Sequence, residues 1–141
     1  LSALIDTSVL VADKAEAGLS EPWSISVVSL GELEAGVLLA RDAAVRAARL
    51  HRLTTIVAEA PVLAVDQTVA ARYGELRAAT GRLPSNDLWI AATALAHDRV
   101  LVTRDERQAA LPLVRTRLLD DHAAPDRTAR SRQGSGHRDR S

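Results

Sequence analysis

Hydrophobic and polar positions change period several times along the chain, and each change marks a boundary between predicted elements. Residues 1–5 are a short apolar run ending at Asp6, after which Thr7 and Ser8 open a stretch of helical spacing that runs to about residue 17 and closes near Gly18. Trp23 to Val28 alternates apolar and polar residues behind Pro22 and predicts a second strand. Leu30, Leu33, Val37 and Leu38 restore helical spacing, predicting a helix over 30–40. Asp42 then suits the N-cap of a further helix, in which Ala43, Ala47, Leu50, Leu53 and Val57 form the predicted buried stripe. On that reading Arg49 and Arg52 face outward and Arg46 lies at the margin.

Pro61 to Val65 is a third apolar run, and Asp66 is placed to cap a helix burying Val69, Tyr73 and Leu76 and ending near Gly81. From Leu88 to Ala96 the chain is apolar on every side, the mark of an enclosed helix rather than a surface one. Val100 to Thr103 reads as a fourth strand, Asp105 to about Ala110 as a short helix, and Val114 to Leu119 as a closing strand. Strands alternating with helices predict an α/β domain over 1–119, a three-layer α/β/α sandwich around a mainly parallel sheet of about five strands. Beyond it, residues 120–141 carry no aliphatic side chain larger than Ala, so a disordered polar tail is expected.

Composition narrows the class. With 141 residues and 47% hydrophobic content the chain suits one domain with a substantial core. It has no cysteine, which excludes disulfides and thiolate metal sites and makes the cytoplasm the expected location. No apolar run is long enough for a membrane span and no basic segment precedes an apolar one, so a soluble protein is expected. Eighteen basic residues balance 18 acidic ones, and all the cations but Lys14 are Arg, a side chain suited to gripping phosphate with two donors. Aromatic content is only 2%, against any platform of stacked rings for nucleobases. His51, His97, His122 and His137 show no metal-ligand spacing, and neither a GxSxG elbow nor a phosphate-binding loop is present.

The chemistry rests on four acids at junctions between apolar and polar sequence: Asp6 in LIDTSVL, Glu32 in SLGELEAGV, Asp87 in SNDLWIAATAL and Asp105 in LVTRDE. Each has a local explanation. Asp6, Asp87 and Asp105 suit helix caps or turns, and Glu32, in the first turn of its predicted helix, suits the helix dipole. Jointly they predict more, because parallel strands bring their ends to one edge of a sheet, where open α/β folds place their sites. Carboxylates gathered there raise one another's pKa unless a cation neutralises them, and an all-oxygen donor set points to Mg²⁺, with Mn²⁺ as substitute. Such an ion suits phosphodiester hydrolysis. Thr7, Ser8 and Thr103 are candidates to hold a water or the scissile phosphate, and Arg49, Arg52, Arg72, Arg77 and Arg82 are candidate phosphate contacts. Asp42 and Asp66 read as caps, Glu34 and Glu106 as solvent-facing neighbours, and Asp98 as a turn.

At these strings the sequence resembles the PIN-domain nucleases, and among them the VapC toxins of bacterial toxin-antitoxin pairs. The resemblance covers residues 1 to about 119 and is carried by LIDTSVL, by Glu32-Leu33 with Gly36, by NDLWIAATAL and by LVTRDE. It implies an endoribonuclease dependent on Mg²⁺ or Mn²⁺ that cuts structured RNA, tRNA or rRNA, to stop translation. It also implies homodimers and inhibition by a cognate VapB-type antitoxin threading a segment into the acidic pocket. The family's acids fall on Asp6, Glu32, Asp87 and Asp105, and its first hydroxyl on Thr7. Asp6 and Asp87 are then expected as direct metal ligands, Glu32 as a ligand or as a holder of a metal water, and Asp105 as acting through water or a second ion. Asp98-Arg99 stands where a glycine often precedes the fourth strand, and Glu106-Arg107-Gln108 lacks the aromatic that often follows the last acid. The alternatives are a housekeeping RNA-processing nuclease of the same fold and a non-catalytic interaction module.

Overall fold

The computed structural model describes residues 2–12 and 21–119. Along the chain these form β1 (Ala3–Ile5), α1 (Thr7–Leu10), β2 (Trp23–Ser26), α2 (Val27–Leu39), α3 (Ala43–Glu59), β3 (Val62–Leu63), α4 (Gln67–Ala79), α5 (Ser85–Ala96), β4 (Val100–Thr103), α6 (Glu106–Ala109) and β5 (Thr116–Leu118). The five strands make one sheet in the order β3-β2-β1-β4-β5, and every neighbouring pair is parallel. Both faces are covered, as a parallel sheet requires. Leu4 of β1 and Leu101 of β4 pack on one side among Val69 and Leu76 of α4 and Leu88, Ile90 and Ala94 of α5. Ala3, Ile5 and Val102 point to the other side, where Val9 and Leu10 of α1 and Ile56 of α3 meet them. This is the predicted three-layer sandwich. Burying each large aliphatic side chain is worth roughly 1.5–3 kcal/mol, so β1, buried along its whole length, is a main anchor.

The strand order also locates a crevice. From β1 the chain builds outward through β2 to β3, then returns to place β4 on the opposite flank of β1. Where the direction of winding reverses, the connections leaving the strand ends diverge and leave a gap. Here that gap lies beyond the C-terminal ends of β1 and β4.

Several elements differ from the sequence expectation for identifiable reasons. β2 stops at Ser26, whose hydroxyl accepts from the Val28 N–H at 3.1 Å and caps α2. The helix therefore starts at Val27, and Glu32 falls in its second turn, too far along for the dipole explanation. α1 ends at Leu10 with Val11 as its C-cap, short of the expected stretch to about residue 17; residues 13–17 of that stretch lie outside the described residues, as does the predicted tail 120–141.

The predicted stripe of α3 is rotated. Leu53 and Ile56 are buried, but Leu50 and Val57 are 51% and 47% exposed and Ala43 and Ala47 are exposed too. Arginines turn this helix: Arg46 donates to Ala40 O at 2.8 Å, Arg49 to Gly36 O at 2.7 Å, and Arg52 to Leu10 O at 2.9 Å. Their guanidiniums reach the carbonyls at the ends of α1 and α2, so they lie on the inner edge instead of pointing away. The few aromatics do stack: the rings of Tyr73 and Trp89 lie 3.9 Å apart, and Arg77 covers Tyr73 at 5.5 Å. That stack joins α4 to α5. Asp98 has φ of 53°, the left-handed conformation that explains why glycine suits the position.

Candidate functional site

Asp6 is the first residue past β1 and is fixed from both sides. Its N–H donates to Val102 O at 2.9 Å, which extends the sheet ladder, and its Oδ2 accepts from the Ser8 N–H at 3.0 Å, which caps α1. The side chain is 3% exposed, and Oδ1 is buried without a hydrogen-bond partner. Capping and cation binding are therefore not competing roles: one oxygen caps, and the other is left to face the crevice chemistry. A buried, unpaired carboxylate oxygen is costly unless something positive meets it.

Hydroxyls surround this carboxylate. Thr103, the last residue of β4, has its Oγ1 3.4 Å from Asp6 Oδ2 and 3.4 Å from Ser8 Oγ. Ser8 Oγ accepts from the Arg104 N–H at 3.1 Å, and Thr103 Oγ1 accepts from the Asp105 N–H at 3.1 Å, so the exits of β1 and β4 are laced together. Thr7 donates to Glu32 Oε1 at 2.9 Å and lies 2.9 Å from the Ser29 hydroxyl, tying α1 to α2.

Asp105 is the N-cap of α6, its Oδ1 accepting from the Arg107 N–H at 2.8 Å with the Arg107 side chain 3.9 Å away. Asp87 stands in the first turn of α5, but this helix has no side-chain cap, so the capping explanation fails for Asp87. Nor does Asp87 follow a strand; α5 follows α4 directly, and the acid reaches the crevice from a helix–helix connection.

The four acids act on one another. The Asp87 carboxyl is pushed up to about 6, first by its partial burial and then by the negative charges of Asp6, Asp105 and Glu32, against a smaller opposing pull from Arg107. Among the described residues, no three carboxylates or imidazoles yet stand close enough together to enclose an ion. The two observations concern different ranges: Asp87 feels all three neighbours through space, while Glu32 and Asp105 are turned toward local donors. The unpaired Asp6 Oδ1 and the all-oxygen set fit a hard divalent cation, with Asp6 and Asp87 as the members having no strong local donor on the oxygens that would bind it.

A cavity of about 700 Å³ runs between α2 and α3 and includes Glu32 in its wall together with Arg49, His51 and Arg52. Of the candidate RNA contacts, Arg49 and Arg52 thus share a cavity wall with Glu32, while Asp6, Asp87 and Asp105 do not line it. Arg72, Arg77 and Arg82 are not in that wall; Arg72 pairs with Glu75 at 2.7 Å, and Arg77 holds Leu83 O at 3.1 Å and the Tyr73 hydroxyl at 3.1 Å. Two residues were not foreseen from sequence. Ser29 is buried beside Thr7, and Gln108 is wholly buried, accepting from the Thr103 hydroxyl at 2.7 Å and donating to Asp87 O at 3.2 Å. The available signal for Gln108 was its place three residues after Asp105, which returns it to the same side of a helical turn.

A parallel α/β sheet with carboxylates gathered at its winding reversal defines the class of acid-edged nuclease-type domains. The chain belongs to the PIN-domain family, whose model, described as PIN domain, matches residues 3–113. Within it the chain is similar to Ribonuclease VapC4 of Mycobacterium tuberculosis, at 40% identity over 121 residues covering 78% of this chain and 91% of the relative. It is also 38% identical to Ribonuclease VapC5 of the same organism, over 78% of this chain and 87% of that one. Among solved structures, VapBC-5 from Mycobacterium tuberculosis, a member of the VapBC family of toxin-antitoxin systems, matches with a TM-score of 0.75 and 35% identity, covering 84% of this chain and 98% of that chain.

Proposed function

We propose that this chain is a Mg²⁺-dependent endoribonuclease, with Mn²⁺ able to substitute, and that it is the toxin of a type II toxin-antitoxin pair. The observation that carries the metal-dependent chemistry is Asp6 Oδ1, buried and unpaired at an edge where Asp6, Glu32 and Asp105 together act electrostatically on Asp87. The similarity to two VapC ribonucleases supports RNA as substrate, and the match to a VapBC structure supports a VapB-type antitoxin as partner. Structured RNA, tRNA or rRNA, is the proposed target, the cytoplasm the proposed location, and a homodimer the proposed assembly.

When bound, the divalent ion supplies the positive charge that polarises a phosphate oxygen and makes water a stronger nucleophile. The protein's own groups do the rest. Asp6 and Asp87 bind the ion, Thr7 orients Glu32, and Asp105 adds negative charge from the exit of β4. Arg49 and Arg52 in the cavity wall beside Glu32 are the proposed contacts for the RNA backbone, which fixes the chain for in-line attack.

The test is cleavage of total RNA by purified protein with Mg²⁺, with EDTA, and as Asp6→Asn. Cleavage is expected to fall on the order of 100-fold or more with EDTA and with the substitution, the scale of losing a main electrostatic element of a site. Cleavage that survives both would overturn the proposal.

A further inference from the structure

Among the described residues, Gln108 is the one large polar side chain that is fully buried, and its two hydrogen bonds bridge three elements: its own α6, the end of β4 and the first turn of α5. A buried amide in a four-residue helix has to be matched at both ends, and here both partners adjoin the acids. Thr103 is the first. Its hydroxyl carries a single proton, and three acceptors lie in reach: Gln108 Oε1 at 2.7 Å, and Asp6 Oδ2 and Ser8 Oγ each at 3.4 Å. The shorter contact takes the proton. With its proton committed, Thr103 Oγ1 accepts from the Asp105 N–H at 3.1 Å.

We propose that Gln108 is a positioning residue for cation binding: by taking the Thr103 proton, it keeps that proton off Asp6, and by holding the Asp87 carbonyl it steadies the turn carrying the second acid. A carboxylate that accepts a hydrogen bond shares its charge with the donor, so a second donor on Asp6 Oδ2, which already accepts from the Ser8 N–H, would leave less negative charge on Oδ1 for a divalent ion. Gln108 touches neither the ion nor the RNA in this account; it acts through Thr103 and through the backbone of Asp87. The inference rests on the metal-dependent reading above.

Mn²⁺ affinity, measured by calorimetric titration of the purified protein at pH 7.5, tests it apart from RNA cleavage. The Gln108→Leu variant is expected to bind Mn²⁺ about 10-fold more weakly, at the lower end of the loss when an outer partner of a metal ligand is removed. Adding Thr103→Val, which deletes the competing proton, is expected to recover most of that loss. A purely structural role would lower the melting temperature of Gln108→Leu without giving this recovery. Should Gln108→Leu lack a folded circular-dichroism spectrum, Gln108→Met keeps the side-chain length while lacking a strong acceptor, and carries the same expectation. Affinity equal to the parent in Gln108→Leu, or a double variant as weak as the single, overturns the role given to Gln108. No Mn²⁺ binding by the parent protein overturns the metal reading itself, and this inference with it.

Discussion

Asp87 carries a cost that reports on its neighbours. Its folded pKa of about 6 lies above the ordinary carboxyl value of 3.8, so the folded protein holds this proton more tightly than the unfolded chain does. Stability contributed by the protonated form is therefore present below about pH 4 and is lost as pH rises through 6. In EDTA, Asp87→Asn is expected to raise the melting temperature at pH 7.5 by a few degrees, on the order of 1 kcal/mol given partial solvation, and by less at pH 4. An equal gain at both pH values would mean that neither burial nor the neighbouring charges disfavour the ionised form of Asp87. The same proton competes with a cation, so Mn²⁺ affinity is expected to weaken as pH falls below about 6, measurable in the same titrations.

Four acids were legible in the sequence because each interrupts an apolar run, and the structure brings their charges to bear on Asp87. The dipole and capping alternatives for Glu32 and Asp87 were not separable there, since they depend on where each helix begins to within one turn. Ser26 decides it for Glu32, by capping α2 earlier than the apolar spacing suggests. Gln108 was illegible for another reason: a glutamine flanked by Arg107 and Ala109 looks like surface, and only its partners across the chain, Thr103 and Asp87, reveal that it is enclosed.

At the scale of elements, the spacing of apolar residues located the helices well where one face is uniformly apolar and misjudged the face where arginine does the packing. α5, apolar all round, was recognised as enclosed, and α4 buries the expected Val69 and Leu76. In α3 the stripe through Leu50 and Val57 scores well on hydrophobicity alone, but a guanidinium buries its stem along apolar surface while its head meets carbonyls. The heads of Arg46, Arg49 and Arg52 meet carbonyls of α2 and α1 in this way, with Arg52 half-buried and the other two exposed. Two substitutions separate the faces. Ile56→Ala is expected to cost about 2–4 kcal/mol in denaturant unfolding, and Leu50→Ser to stay within about 0.5 kcal/mol. Comparable losses from both would return α3 to the orientation expected from its spacing.

For the molecule as a whole, the alternation of strands and helices sufficed to predict a parallel sandwich, because parallel strands need a crossover between them and both faces of the sheet need cover. The order of strands was not available from periodicity, which is silent on which side of β1 the fourth strand will add. That order joins the carboxylates into one field. A cation that binds the folded edge and not the open chain should stabilise the whole domain: at about 100 times its dissociation constant, Mn²⁺ is expected to add about 2.7 kcal/mol and raise the melting temperature by several degrees. Asp6→Asn should abolish the increment. An undiminished increment in that variant would place the ion elsewhere.

The central position of β1 has a further consequence, in the order of synthesis. β1, made before the other four strands, is the middle of the finished sheet, and β4, its neighbour on one side, is added only after β2 and β3 have been completed on the other. A growing chain that has emerged through β3 holds Asp6 and Glu32 but neither Asp87 nor Asp105. The crevice has no second wall until β4 docks, and the bonds that set Thr103 and Gln108 in place come only with β4 and α6. An RNA-cutting protein built this way completes its set of acids only once the chain has been made through β4 to Asp105, so Asp6 and Glu32 stand without their partners until then.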